Sequence, residues 1–448
     1  MNEAATRKSA SELGGAGEVG GVGDEIGRLL VRRIVPVLFL CYCASYLDRV
    51  NLGFAALTMN RDLHLSATQF GLASGLFFLG YFTCEIPSNL ILARVGARRW
   101  IARIMLSWSL VAALMAFVHG AWSLYGVRLL LGVAEAGFFP GLLFYLTLWF
   151  PRALRARVLG LILLAVPLSS TLGAPLSTAI LGLGGLWGLA GWQWLFLIET
   201  LPSLLMGVLV LRLLPDRPED APWLSAAQKQ RLGAALASEE AAATGGRAHA
   251  FRLGLLLEPR LLAVTMINFA MAGALYGLAF WLPQIVHGFR LGLMATGLVS
   301  ALPFLVGAVA MLAITRSSDR RMERHLHLML GLAAMMTGLL ATAFLHQPVA
   351  RMAAICLASA GIYAAFALLW TLPPTFLAGT AAAGGIAAIN AFANLAGFLG
   401  PFTMGLVRDL TGRFDAGLYL LAALAGCALL CTALLRRWGS SGRTRSRL

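Results

Sequence analysis

Twelve apolar runs, each long enough to cross a bilayer, leave this chain few ways to fold. They fall near residues 34–58, 69–93, 101–118, 123–149, 157–182 and 190–214, and again near 260–287, 293–315, 326–345, 350–377, 384–407 and 416–436. About 20 apolar residues, at about 1.5 Å of rise each, cross a hydrocarbon core about 30 Å thick. No water there satisfies backbone N–H and C=O groups, so only helices or a closed barrel are allowed. A barrel would show short segments of alternating polarity, and these runs are long and uniform. The expected fold is an all-α membrane protein with twelve transmembrane helices in two six-helix, pseudo-symmetric halves. Composition agrees, since 12% of residues are charged against about 25% in a soluble domain.

Polar stretches divide the chain. Residues 1–32 are Gly-, Glu- and Ala-rich and read as a disordered cytoplasmic tail. The first half is 33–214, a linker rich in both charges covers 215–259, the second half is 260–437, and 438–448 form a basic tail. The net charge of +15 does not imply nucleic acid, because the arginines gather in alternate loops instead of one stripe. Arg28, Arg32 and Arg33 precede the first span. Arg94, Arg98, Arg99 and Arg103 follow the second, Arg152, Arg155 and Arg157 the fourth, and Arg316, Arg320, Arg321 and Arg324 the eighth. The positive-inside rule then puts both termini on the cytoplasmic side of a cell (inner) membrane. The six cysteines all lie in apolar runs without zinc-like spacing and read as packing residues.

Two places break the apolar pattern where a charge is expensive. Asp48 and Arg49 lie in the first span, with Asp48 about 22 Å along the helix from Arg33. An ionised side chain at such depth costs at least about 2.5 kcal/mol, so it usually faces a bundle interior or a wet cavity. The fourth span holds Arg128 and Glu135, seven residues apart and so on one helix face. Glu135 is fifteen residues from Phe150, as Asp48 is from Arg33, which gives the two carboxyls similar depth. We expect one cavity shared by two carboxyl and two guanidinium groups, although salt bridges that only fix helix packing would give the same pattern. Guanidinium binds carboxylates as a fork, which suggests an anionic substrate for Arg49 and Arg128. Burial raises a carboxyl pKa and a nearby Arg lowers it, so an anion that takes the Arg partner would change whether Asp48 and Glu135 hold protons.

Other polar residues in spans are weaker candidates. Asn390 and Asn394, one turn apart in the eleventh span, could contact substrate or bond to a neighbouring helix. Tyr46 and Tyr81 could line the cavity, and Trp370 could stack on an aromatic ring, though packing alone would also account for them. Glu199, ahead of Pro202, has an open role, and His325 and His327 read as solvated loop residues.

Several motifs, in order, resemble the major facilitator superfamily, and within it the anion:cation symporters that include phthalate, tartrate, hydroxyphenylacetate and sugar-acid permeases. They are Tyr46-Leu-Asp-Arg-Val-Asn51, Glu85-Ile-Pro-Ser-Asn89 leading to Arg94-Val-Gly-Ala-Arg-Arg99, and Arg128 with Glu135-Ala-Gly-Phe-Phe-Pro140. In the second half they are Phe280-Trp-Leu-Pro-Gln284, Ser318-Asp-Arg320, and Gly385-Ile-Ala-Ala-Ile-Asn390 through Asn394-Leu-Ala-Gly-Phe-Leu-Gly-Pro401. The resemblance implies proton-driven symport of organic anions. It places Asp48 and Glu135 in proton coupling, Arg49 and Arg128 in the charge network or at the substrate, and Arg94, Gly96, Arg98, Arg99, Asp319 and Arg320 in gating loops. This chain departs from the family at Asn89 and Ala93, where Gly and Asp are usual, so the latch of that loop is expected to differ.

The expected partners are a small organic anion, protons and the bilayer, with no cofactor or metal. A monomer suffices, since the two halves enclose one pathway. Anion exchange, export and non-transporting nutrient sensing remain alternatives. An intramembrane enzyme is disfavoured, since no span carries a His-Glu-x-x-His or Gly-x-Ser-x-Gly motif.

Overall fold

The computed structural model describes residues 23–245, 257–373, 376 and 379–445, and among these every regular element is helical. The first half holds α1 (Asp24–Asp62), α2 (Ala67–Val95), α3 (Ala97–Leu114), α4 (Ala121–Glu135), α5 (Phe138–Trp149), α6 (Arg152–Leu163), α7 (Ala165–Leu181) and α8 (Gly191–Leu213). After α9 (Ala226–Gly245) in the linker, the second half holds α10 (Pro259–His287), α11 (Leu293–Arg321), α12 (His325–Phe344), α13 (Pro348–Leu369), α14 (Gly379–Thr411) and α15 (Asp415–Arg445). Taking α4–α5 and α6–α7 as single spans, eleven spans among the described residues are long and apolar enough to cross a membrane. The twelfth is α14, 33 residues long and packed along α2.

Two boundaries differ from the sequence expectation, as does the setting of one histidine. α1 starts at Asp24, inside the expected tail, because Ile26, Leu30 and Ile34 repeat every four residues and bury one stripe of the helix. Residues 1–22 of that tail, and 246–256 of the linker, lie outside the described residues. α15 runs to Arg445, into the expected C-terminal tail. His327 is buried, not solvated, with its ring nitrogens 3.0 Å from Ser317 Oγ and 3.2 Å from Glu323 Oε2.

Two spans are broken. The fourth stops at Glu135 because Ala136 is extended (ψ 131°) and Gly137 has φ +86°, a conformation that strains any side chain. The fifth is interrupted at Leu164, and Pro167 lacks the N–H that would bond to Leu163.

The halves touch through α2 with α14, α7 with α11, and α1 with α10. These contacts lie toward the face opposite the linker. A Cβ on Gly71 would come within 2.5 Å of the Pro401 carbonyl oxygen, so α2 and α14 meet there backbone to backbone. At the same end Asp409 of α14 accepts from the backbone N–H of Ala67 (3.1 Å) and Thr68 (2.7 Å), capping α2 from the other half. Phe78 packs on Tyr276 with ring centroids 4.4 Å apart, closing this seam above the centre of the molecule.

Candidate functional site

Below the seam lies a chamber lined by both halves. Seven aromatic residues line it, including Tyr42, Tyr46, Tyr81, Tyr276 and Trp370, together with the amides of Asn268, Asn390 and Asn394. Among the described residues Arg49 is the one charged side chain on its wall. Most of the wall can hold a planar or hydroxylated molecule, and one point on it attracts negative charge.

That point is buffered from behind. Arg49 donates to Glu135 Oε1 from Nη2 (2.6 Å) and Nε (3.1 Å), and Ser45 Oγ donates to the same oxygen (2.8 Å). Glu135 is 2% exposed and ends α4, so the helix break delivers its carboxylate to the back of Arg49. Arg49 Nη1 also donates to the Tyr276 hydroxyl (3.2 Å), which lies 3.3 Å from the Tyr46 hydroxyl. One guanidinium therefore joins the acid of the first half to a tyrosine of the second.

The expectation of four charges in one cavity does not hold. Asp48 is buried on the other side of α1, where its Oδ2 accepts from Trp108 Nε1 (2.9 Å) and Ser203 Oγ (2.7 Å). Successive residues on a helix point about 100° apart, so when Arg49 faces the chamber Asp48 faces the bundle. Arg128 is also off the chamber wall. Its Nε donates to the Ala73 carbonyl (3.2 Å) and its Nη2 to that of Ser74 (3.4 Å), which ties α4 to α2. Both guanidinium groups rest against Phe77, with Cζ 5.2 Å (Arg49) and 5.1 Å (Arg128) from its centroid.

Glu85, of the Glu85–Asn89 motif, is a further site residue, and its signal in the sequence is an acid inside the 69–93 apolar run. It accepts from Asn390 Nδ2 (3.4 Å) and Asn394 Nδ2 (3.0 Å) across the two halves. The two amides expected to meet substrate are thus held by a carboxylate of the protein itself. Tyr276 and Asn268 were also missed, being single polar residues in the most buried span. Trp370, just past the end of α13, lines the chamber, and among the described residues its Nε1 has no hydrogen-bond partner.

Residues 38–401 match the Major Facilitator Superfamily. The chain belongs to this superfamily. It is 46% identical over 410 residues to a protein of Agrobacterium vitis named as a tartrate transporter, covering 92% of this chain and 91% of that one. It is 43% identical over 411 residues to a protein of Pseudomonas putida named as metabolite transport protein NicT (90% and 92% covered). It is 38% identical over 412 residues to a quinolone resistance transporter of Acinetobacter baumannii (92% and 95%). Among solved structures, the xylose transporter XylE of E. coli in an inward open conformation matches with TM-score 0.72 at 13% identity, over 90% of this chain and 95% of that one. A bacterial homolog of the human lysosomal transporter Spinster matches with TM-score 0.69 at 16% identity (92% and 96%). These last two show the fold alone.

The family and these relatives are transporters, not enzymes, and this superfamily transporter moves a small molecule across a membrane. Ala93, in the last turn of α2, stands where the resemblance leads one to expect an acid, and an acid of the linker stands at the α2–α3 junction. Asp216, at the start of the linker, pairs with Arg98 (3.5 Å) and lies beside Gly96. Arg94 and Arg99 are exposed. In the second half Asp319 pairs with Arg324 of its own loop, and Arg320 is exposed. Neither loop latches the two halves together through these ion pairs.

Proposed function

We propose that this transporter imports a small organic anion together with protons across the inner membrane, with both termini cytoplasmic. The observation that carries the reading is Arg49, among the described residues the one guanidinium on the chamber wall, neutralised from behind by buried Glu135. A substrate carboxylate competes with Glu135 for Arg49. When it wins, Glu135 is left buried without a cation, a state that costs several kcal/mol unless a proton neutralises it. Anion binding and proton uptake thereby favour each other. Glu135 is the coupling acid nearest the anion; Asp48, next to Arg49 in sequence, acts from the bundle side of α1. Arg128 positions α4 against α2, and Tyr46, Tyr81, Asn390, Asn394 and Trp370 contact the rest of the substrate. With this orientation the seam closes the outer face, the chamber opens inward, and the loops around Gly96 and Asp319 change partners during the cycle.

Thermal-shift measurements on purified protein with tartrate, phthalate and gluconate test the binding step. A true ligand at about 100 times its Kd stabilises by about 2.7 kcal/mol. Arg49→Gln combined with Glu135→Gln keeps the chamber neutral and removes that response. A shift that survives in the double variant contradicts the assignment of Arg49. A second reading, export, is favoured by the relative named for quinolone resistance, and it uses the same chamber with the opposite net flux.

A further inference from the structure

Off the chamber wall, the first half buries Glu199, an acid with no role so far, beside Asp48. Glu199 on α8 is 1% exposed and Asp48 on α1 is 4% exposed. Asp48 Oδ2 is bonded to Ser203, and Ser203 lies four residues after Glu199, on the same face of α8. The two carboxyls are therefore neighbours and lie within electrostatic reach of one another. Glu199 Oε1 accepts from Ser177 Oγ of α7 (2.7 Å). Among the described residues Asp48 Oδ1 is buried without a hydrogen-bond partner, while the buried Asn51 side chain of α1 also faces the Glu199 carboxyl.

Among the described residues no cation is paired with either acid. α8 packs against α1, α3 and α7. α1 contributes Asp48 itself, while Arg49 is turned away onto Glu135. α3 contributes the Trp108 indole, and its arginines Arg98, Arg99 and Arg103 lie at its linker end. α7 carries no charged residue. Two adjacent carboxylates, desolvated and without a counter-charge, cannot both be ionised at modest cost. The donors around them are neutral: Trp108 and Ser203 at Asp48, and Ser177 with Asn51 at Glu199.

We propose that Asp48 and Glu199 form a proton-binding pair inside the first half, holding one proton between two carboxyl groups. The site is separate from the Arg49–Glu135 chamber and rests on neither the identity of the substrate nor the direction of transport. Because Asp48 and Arg49 are consecutive on α1, protonation of the pair changes the field at the chamber cation through one helix. Two acids that share a proton titrate as a coupled unit with separated steps.

The test is pH-difference infrared spectroscopy of the full chain in liposomes, reading protonated-carboxyl bands across neutral pH. The pair predicts a band in the parent protein that is absent from the Asp48→Asn, Glu199→Gln double variant. It also predicts that Glu199→Gln alone moves the titration of the remaining acid by about one pH unit or more, a tenfold change in proton affinity. Asp48→Asn reads the same coupling from the other side should the first variant fold poorly. Identical spectra for parent and double variant overturn the proposal, as do single variants whose remaining acid titrates unmoved. Stabilisation of the parent by sodium but not by choline, lost in the double variant, would make the site a metal-cation site and overturn it as well.

Discussion

Arg49 is bound on one side by an acid that never leaves the protein, and in the proposed symport its strength toward an incoming anion is set by that competition. Glu135→Gln removes the competitor while keeping shape and a hydrogen-bond partner. Anion affinity should rise in this variant while proton-driven accumulation is lost, which binding and uptake assays separate. Glu85 offers a second handle. Like charges repel, and Glu85 sits on two amides of the chamber wall, so Glu85→Gln should tighten anion binding in a titration. A weaker or unchanged Kd would show that Glu85 instead assists the ligand. At this scale the sequence revealed depth but not direction. The rise per residue put Asp48 and Glu135 at similar depth, but the spans are apolar on nearly every side, so no amphipathic stripe showed which way each residue faces. The placement of Asp48 behind α1 and of Arg128 on the α2 carbonyls depends on neighbouring helices that one chain segment does not specify.

Elements act here through their ends. The cap that Asp409 places on α2 is worth about 1 kcal/mol, as N-caps typically are, and it exists only while the halves meet on that face. Asp409→Ala should speed hydrogen exchange of the first-turn amides of α2 about fivefold, the factor equivalent to that energy, and favour the state open on that side. In the loop before α12, Glu323 accepts from the Leu326 N–H with both oxygens (2.8 Å each). Partial burial pushes its carboxyl up, but the Leu326 N–H and the His327 ring and N–H outweigh it and hold the group below the usual carboxylate range. A depressed carboxyl contributes stability above its unfolded pKa and loses it as pH falls through the folded value. Protection of the first turn of α12 should thus fall on acidification below the ordinary glutamate range, and Glu323→Gln should abolish that pH dependence. The spans and their order were legible from hydropathy. The breaks at Gly137 and Leu164 were not marked, because glycine and proline occur in unbroken membrane helices too.

The whole molecule is a pair of helical halves sealed along one face and parted below it. Its seam uses backbone contact at Gly71, a cross-half cap at Asp409 and the Phe78–Tyr276 contact. The chamber lies beneath, reached by Arg49 from one half and by Asn390 and Asn394 from the other. Any anion bound there touches both halves, so it is placed to bias their rocking. The most direct test is made in proteoliposomes loaded with a pH-sensitive dye, after an inward gradient of an anion that thermal shift has shown to bind. Proton–anion symport predicts that the lumen acidifies as the anion enters and that an imposed proton gradient drives its accumulation, with both effects lost in Glu135→Gln. Anion entry with no proton movement, or undiminished proton-driven accumulation in Glu135→Gln, would contradict it.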